Sequence, residues 1–127
     1  MENLFIAGEA KTPTINFDYN AAELEILGRS IPENSIEFYK PVNEWLEKFK
    51  HSDKETLVMD IKLEYFNTSS SKCILDVFKK LEEIKTIGKD VRIRWYFESD
   101  DEDMEEAGQD FSAIIKVPLE LITVDEL

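Results

Sequence analysis

Apolar and polar residues alternate along four stretches of this chain. Ile15, Phe17 and Tyr19 alternate with Thr14, Asn16 and Asp18, and Leu24 and Ile26 alternate with Glu23 and Glu25. A period of two marks a strand with one buried face, so these runs read as an opening hairpin with its turn near Asn20. Met59, Ile61, Leu63 and Tyr65 alternate with Asp60, Lys62 and Glu64 within a strand over residues 57–66, and Val91, Ile93, Trp95 and Phe97 alternate with Arg92, Arg94 and Tyr96. A last strand is expected over residues 118–124. Every alternating strand keeps one wet face, whereas a parallel sheet covered on both sides would show continuous apolar runs. The pattern therefore predicts an α/β fold: an open sheet with helices packed on one face.

Between the strands the period changes to that of a helix. Ile36, Tyr39, Leu46 and Phe49 mark a first helical region, and Pro41 predicts a break before it, because proline has no N–H to donate and clashes with the preceding turn. Ile74, Val77, Phe78 and Leu81 share one face of a second helix, expected from about Ser69 to Ile87 and stopped near Gly88. Lys79, Lys80, Glu82, Glu83 and Lys85 make its solvated face, with ion pairs three or four residues apart. A third helix is expected after the fourth strand, capped by Ser99 or Asp100, with Met104, Ala107, Phe111 and Ile114 facing the core.

Composition narrows the class of function. A chain of 127 residues, 43% hydrophobic and 11% aromatic, suits one domain over residues 1–127 with a core of its own. A formal net charge of −13 argues against unaided binding to nucleic acid or to an anionic membrane, both of which need clustered Lys and Arg. A protein partner is expected instead. The single cysteine, Cys73, has no partner for an internal disulfide, and its place beside Ile74 reads as a buried or half-buried thiol in a reducing cytoplasm. No apolar run reaches membrane length, and residues 1–6 have neither the basic region nor the apolar core of a signal peptide, so membrane insertion and export are not expected.

The junction Tyr65-Phe66-Asn67-Thr68-Ser69-Ser70-Ser71-Lys72 carries the clearest chemistry, because an apolar strand runs there into a hydroxyl-rich helix start. The first N–H groups of a helix lack internal partners and its dipole is positive there, so a phosphoryl group on one of these hydroxyls is electrostatically favoured. The structural alternative is that Asn67 or Thr68 is an N-cap contributing about 1 kcal/mol. A second candidate is the acidic run over residues 98–106, where seven of nine residues are acids, including Asp100, Asp101, Glu102 and Asp103. It lacks the alternating ligands and central glycine of a calcium loop, and it reads better as the acidic first turn of the third helix or as a surface read by a partner. If the strands before these two segments are parallel neighbours, both segments lie at one sheet edge. Glu33 and Asn34, after Pro32, make a polar patch or a helix start. The only histidine, His51, lies in a polar turn, and the chain has no Cys-x-x-Cys pair, phosphate-binding glycine loop or serine elbow. No cofactor, metal or catalytic residue is expected.

Thr12-Pro13, Ile15-Asn16-Phe17-Asp18, Leu27-Gly28-Arg29-Ser30-Ile31-Pro32-Glu33-Asn34, Phe38-Tyr39-Lys40-Pro41, Trp45-Leu46, the 65–72 junction, Trp95-Tyr96 and Asp100-Asp101-Glu102-Asp103 together resemble the SiaC family of bacterial regulatory phosphoproteins. The chain departs from that pattern at Ile31, where an aromatic is expected. The resemblance implies a STAS-like fold, with an open mixed sheet, an N-terminal hairpin and about three helices on one face. It implies that Thr68 is the phosphoacceptor, with Asn67, Ser69, Ser70, Ser71, Lys72, Glu33, Asn34, Asp100 and Asp101 as flanking or partner-binding residues. It further implies a cytoplasmic, non-enzymatic partner switch: a cognate kinase phosphorylates the threonine, a PPM-type phosphatase removes the phosphate, and the unphosphorylated form activates a diguanylate cyclase or another signalling output that controls biofilm formation. The alternative function is a constitutive interaction scaffold in which Thr68 only caps a helix.

Overall fold

Nine elements follow one another in the computed structural model, which describes all 127 residues. They are β1 (Leu4–Ile6), β2 (Thr14–Asp18), β3 (Glu23–Ser30), α1 (Ser35–Lys50), β4 (Thr56–Phe66), α2 (Thr68–Thr86), β5 (Asp90–Glu98), α3 (Glu102–Ile114) and β6 (Leu119–Val124). The strands form one sheet whose spatial order is the chain order. β1, β2 and β3 are joined antiparallel, and β3, β4, β5 and β6 run parallel. Three successive crossovers therefore step to the next strand in the same direction. With the right-handed sense that such connections take, this puts every helix on the same face. The core follows: Ile15, Phe17, Leu24, Met59, Ile61, Ile93 and Trp95 from the sheet meet Tyr39, Leu46, Phe49, Phe78 and Phe111 from the helices in one buried cluster. The other face is open and charged, with Lys62 bonded to Glu25 at 2.8 Å and the Arg94 guanidinium holding both oxygens of Asp60. The parallel strand order never reverses, so the sheet lacks the switch-point crevice in which doubly wound folds bind their ligands.

The hairpin, the parallel strands, the second helix and its stop match the pattern, and several details do not. β1 was not anticipated. Its three residues are too few to show a period, and it is held by Trp45 Nε1–H donating to the Glu2 carbonyl at 2.9 Å and by Asn3 Oδ1 accepting from the Tyr19 N–H at 2.9 Å. The expected break before Pro41 is absent, and α1 runs through it unbroken. Proline inside a helix costs about 3 kcal/mol through the lost hydrogen bond and the ring clash, but the buried stripe Ser35, Tyr39, Val42, Leu46 and Phe49 spans the proline, and Asn34 Oδ1 caps the start by accepting from Glu37 N–H at 3.1 Å. Ile36 stands outside that stripe, 79% exposed.

Tyr65 does not share the inward face of Met59, Ile61 and Leu63. Gly28 pairs with Leu63, but the next residue, Arg29, pairs with Tyr65, so Glu64 is an extra residue in β4. Such a bulge reverses the inside-outside parity of everything after it. Tyr65 turns out to solvent beneath the Arg29 guanidinium, and Phe66 turns in against Trp95 and Phe111. Gly28, opposite the bulge, has φ +110°, a left-handed conformation that glycine adopts without strain.

At α3 the cap is Asp101, not Ser99 or Asp100: its Oδ1 accepts from Met104 N–H at 3.0 Å, after a turn closed by Asp101 N–H to the Glu98 carbonyl at 2.9 Å. The helix ends at Ile114, which is 56% exposed, and the extended backbone at Ile115 carries that residue into the core instead. Gly108 sits where α3 meets the sheet. A Cβ there would fall 2.6 Å from Trp95 Cδ1 and 2.6 Å from Leu121 Cδ2.

Candidate functional site

All the candidate residues lie at one edge of the sheet, where β3, β4 and β5 end. The helices run back from that edge, so the starts of α1, α2 and α3 gather there, while His51, at the end of α1, lies at the opposite edge. The turn between β1 and β2, residues 7–13, joins the same edge, because Ile31 N–H donates to the Lys11 carbonyl at 2.9 Å. That turn carries the Thr12-Pro13 pair, but without β1 nothing in the sequence pattern places it beside Ile31.

The hydroxyls at the start of α2 have different fates. Asn67 is the cap, and Thr68 is not: Asn67 Oδ1 accepts from Ser70 N–H at 2.9 Å and from the Ser69 hydroxyl at 3.1 Å. Ser70 is fully buried. Its hydroxyl donates to the Ser30 carbonyl at 2.9 Å and accepts from Ser30 Oγ at 2.8 Å. With its hydrogen so used, Ser30 Oγ takes its own bond from the Tyr39 hydroxyl at 2.7 Å. This chain of buried hydroxyls ties α1, β3 and α2 together with every donor satisfied. Burial pushes the Tyr39 phenol up to about 12, so it stays a neutral donor. Ser69, although exposed, is bonded to Ser35 Oγ at 2.8 Å across the gap between the two helix starts. Ser71 is half-buried. Thr68 alone of the four is both exposed and free of any side-chain hydrogen bond.

The remaining sites divide. Asn34 caps α1 and Glu33 is exposed beside it, so that patch is a helix start on the same edge as Thr68. Asp100 is exposed, and Asp101 caps α3 at the end of β5, the parallel neighbour of β4. These two acids share the edge with Thr68 and form no hydrogen bond with it, and no three carboxylate, histidine or cysteine side chains converge into a metal cage. Lys72 is exposed, at the rim of a groove of about 260 Å³ between α2 and α3 that is lined by Phe66, Leu75, Phe111 and Ile114. Cys73 is buried, and desolvation, aided by Asp76, pushes its thiol up, away from the reactive thiolate. Nothing in the sequence assigns Tyr39 and Ser30 a part in the junction that rests on them: Tyr39 reads as a helix core position, and a lone serine in an alternating strand carries no signal of its partners.

The arrangement presents one threonine hydroxyl at the positive end of a rigidly seated helix, with no nucleophile and base paired beside it. Residues 6–124 match the model of the SiaC family regulatory phosphoprotein. The chain is 35% identical over 126 residues to an uncharacterised protein of Pseudomonas aeruginosa strain UCBPP-PA14, covering 99% of this chain and 100% of that one. It is similar to SiaC of Pseudomonas aeruginosa in the crystal structure of the diguanylate cyclase SiaD in complex with its activator SiaC, with 34% identity, a TM-score of 0.90 and coverage of 95% of this chain and 99% of that chain. The crystal structure of apo-SiaC from the same organism is matched with 34% identity, a TM-score of 0.88 and coverage of 96% and 99%.

Proposed function

We propose, from the premise that the chain belongs to the SiaC family of regulatory phosphoproteins, that it is a phosphorylation-switched adaptor that binds and activates a diguanylate cyclase. The unphosphorylated form is the active one and raises cyclic-di-GMP, promoting biofilm formation. A cognate kinase transfers the γ-phosphoryl group of ATP to Thr68 Oγ1, with loss of the hydroxyl proton and release of ADP, and a PPM-type phosphatase hydrolyses it to inorganic phosphate. The protein itself catalyses nothing, and the cycle runs in the cytoplasm, where a lone thiol such as Cys73 persists. That the relative of known structure binds a diguanylate cyclase supports the choice of partner.

The observation that carries this reading is the exposure and freedom of Thr68 among neighbours that are already committed. A kinase can take its hydroxyl without breaking Asn67's cap or the Ser70–Ser30–Tyr39 chain. Phosphate adds about −1.5 to −2 of charge at neutral pH. On a surface that a partner must dehydrate, such a dianion costs several kcal/mol unless it is paired, enough to release the complex without refolding this chain. The cap that the scaffold alternative assigned to Thr68 belongs to Asn67.

The test pairs the purified protein with each diguanylate cyclase of the same organism and follows conversion of GTP to cyclic-di-GMP. Unmodified protein and Thr68→Ala stimulate one of them, and protein carrying phosphothreonine at 68 does not. Equal stimulation by the phosphorylated form, or stimulation of none, refutes the proposal.

A further inference from the structure

The second half of the switch is legible in Lys72. It stands four residues after Thr68, so the two side chains are neighbours on one face of α2, in the order, anion first, that best supports a helical ion pair. Lys72 is exposed and belongs to none of the ion pairs of the molecule. Two other lysines of α2 are engaged: Lys79 with Glu82, and Lys80 with Glu47 and Glu83. Two acids lie around Lys72, Asp76 one turn further along α2 and Asp110 across the groove on α3, and neither pairs with it. The cation also edges an apolar groove whose wall ends in the exposed Ile114, and the first turn of α2 contains no acid, unlike those of α1 and α3.

We infer that Lys72 is the residue through which phosphorylation is read. In the unmodified protein it offers a free cation to a carboxylate of the cyclase, whose neighbouring apolar side chain enters the groove between α2 and α3. When Thr68 carries phosphate, the phosphate takes Lys72 as its own counter-ion. The surface then loses a cation and gains an anion at one point, and the same carboxylate is left unpaired and repelled. This rests on the proposed function and deepens it: a phosphate paired with Lys72 costs less to dehydrate, so release then comes from the repulsion of an acidic partner group at that point. A basic partner segment would be bound more tightly after phosphorylation.

The experiment installs phosphothreonine at 68 during translation and titrates its phosphorus resonance with pH in the otherwise wild-type protein and in Lys72→Gln, Lys72→Arg and Lys85→Gln. Lys85, in the last turn of the same helix, controls for loss of one positive charge. The second phosphate pKa, near 6 in a free phosphothreonine, rises by roughly 0.3 in Lys72→Gln relative to wild type and is unmoved in the other two. Without phosphate, Lys72→Gln needs roughly five-fold or more protein to half-activate the cyclase, and Lys72→Arg restores activation. A phosphate that titrates alike in wild type and Lys72→Gln overturns the inference while the switch stands, and so does unaltered activation by unphosphorylated Lys72→Gln. Phosphorylated wild type that activates as well as the unmodified protein overturns the switch and the inference together.

Discussion

Replacing Thr68 by alanine should leave the fold as stable as before, while the same replacement one residue earlier should not. Asn67 Oδ1 holds both the Ser70 N–H and the Ser69 hydroxyl, at 2.9 and 3.1 Å. Asn67→Ala removes both bonds and leaves a helix start uncapped, at a cost of about 1–2 kcal/mol. Thr68 makes no side-chain bond and is exposed. Thr68→Ala therefore loses no partner, and the propensity difference between the two residues, below about 0.7 kcal/mol, favours alanine. For a chain of this length 1 kcal/mol corresponds to about 4 °C in Tm. Calorimetry should then show Asn67→Ala melting about 4–8 °C below wild type, Asn67→Asp restoring most of the loss, and Thr68→Ala within about 2 °C of wild type. A drop for Thr68→Ala as large as that for Asn67→Ala would mean that Thr68 is structural, and its use as a clean non-phosphorylatable variant would fail. With the expected result, any effect of Thr68→Ala on signalling belongs to the hydroxyl itself.

Gly108→Ala should be damaging, because Gly108 is buried where α3 meets the sheet. Its Cβ would lie 2.6 Å from Trp95 Cδ1 and 2.8 Å from Trp95 Nε1, an indole fixed by its bond to the Met104 carbonyl at 3.0 Å. Overpacking of this kind costs about 1–3 kcal/mol, and a Tm equal to wild type would show that α3 can shift without penalty. Tyr39 predicts an alkaline loss of stability. Burial holds its phenol at about 12, against the ordinary value of 10.0, so between those values the folded state keeps a proton that the unfolded state has released. Its contribution is complete below about pH 10 and is lost as the pH rises toward 12, with a slope of up to about 1.4 kcal/mol per pH unit. Denaturant unfolding should show this slope in the wild type relative to Tyr39→Phe, and parallel curves for the two would contradict it.

The alternation of Ile15, Phe17, Leu24, Ile26, Met59, Ile61, Ile93 and Trp95 was enough to place four strands, their inner face and the one-sided covering of the sheet. Those features follow from local periodicity, since burial on one side of a strand leaves its mark every second residue. The hydroxyl-rich start of α2 was legible for the same reason, as the point where period two gives way to a helix. The identity of the cap was not. Asn67 and Thr68 are both good capping residues, and only the backbone geometry at the strand end decides which oxygen reaches the Ser70 N–H. The outward turn of Tyr65 depends on a bulge that shows only in the pairing of β4 with β3. The unbroken α1 depends on buried contacts on both sides of Pro41 that outweigh a local cost. Ser30 illustrates the limit most plainly: it lies 40 residues from Ser70 and nine from Tyr39 along the chain. Sequence determined most of the strands and helices and the hydroxyl-rich start of α2, because those are short-range properties. Tertiary structure decided which of its hydroxyls is left exposed and unbonded, because that depends on partners brought from β3 and α1 by the folding of the whole sheet.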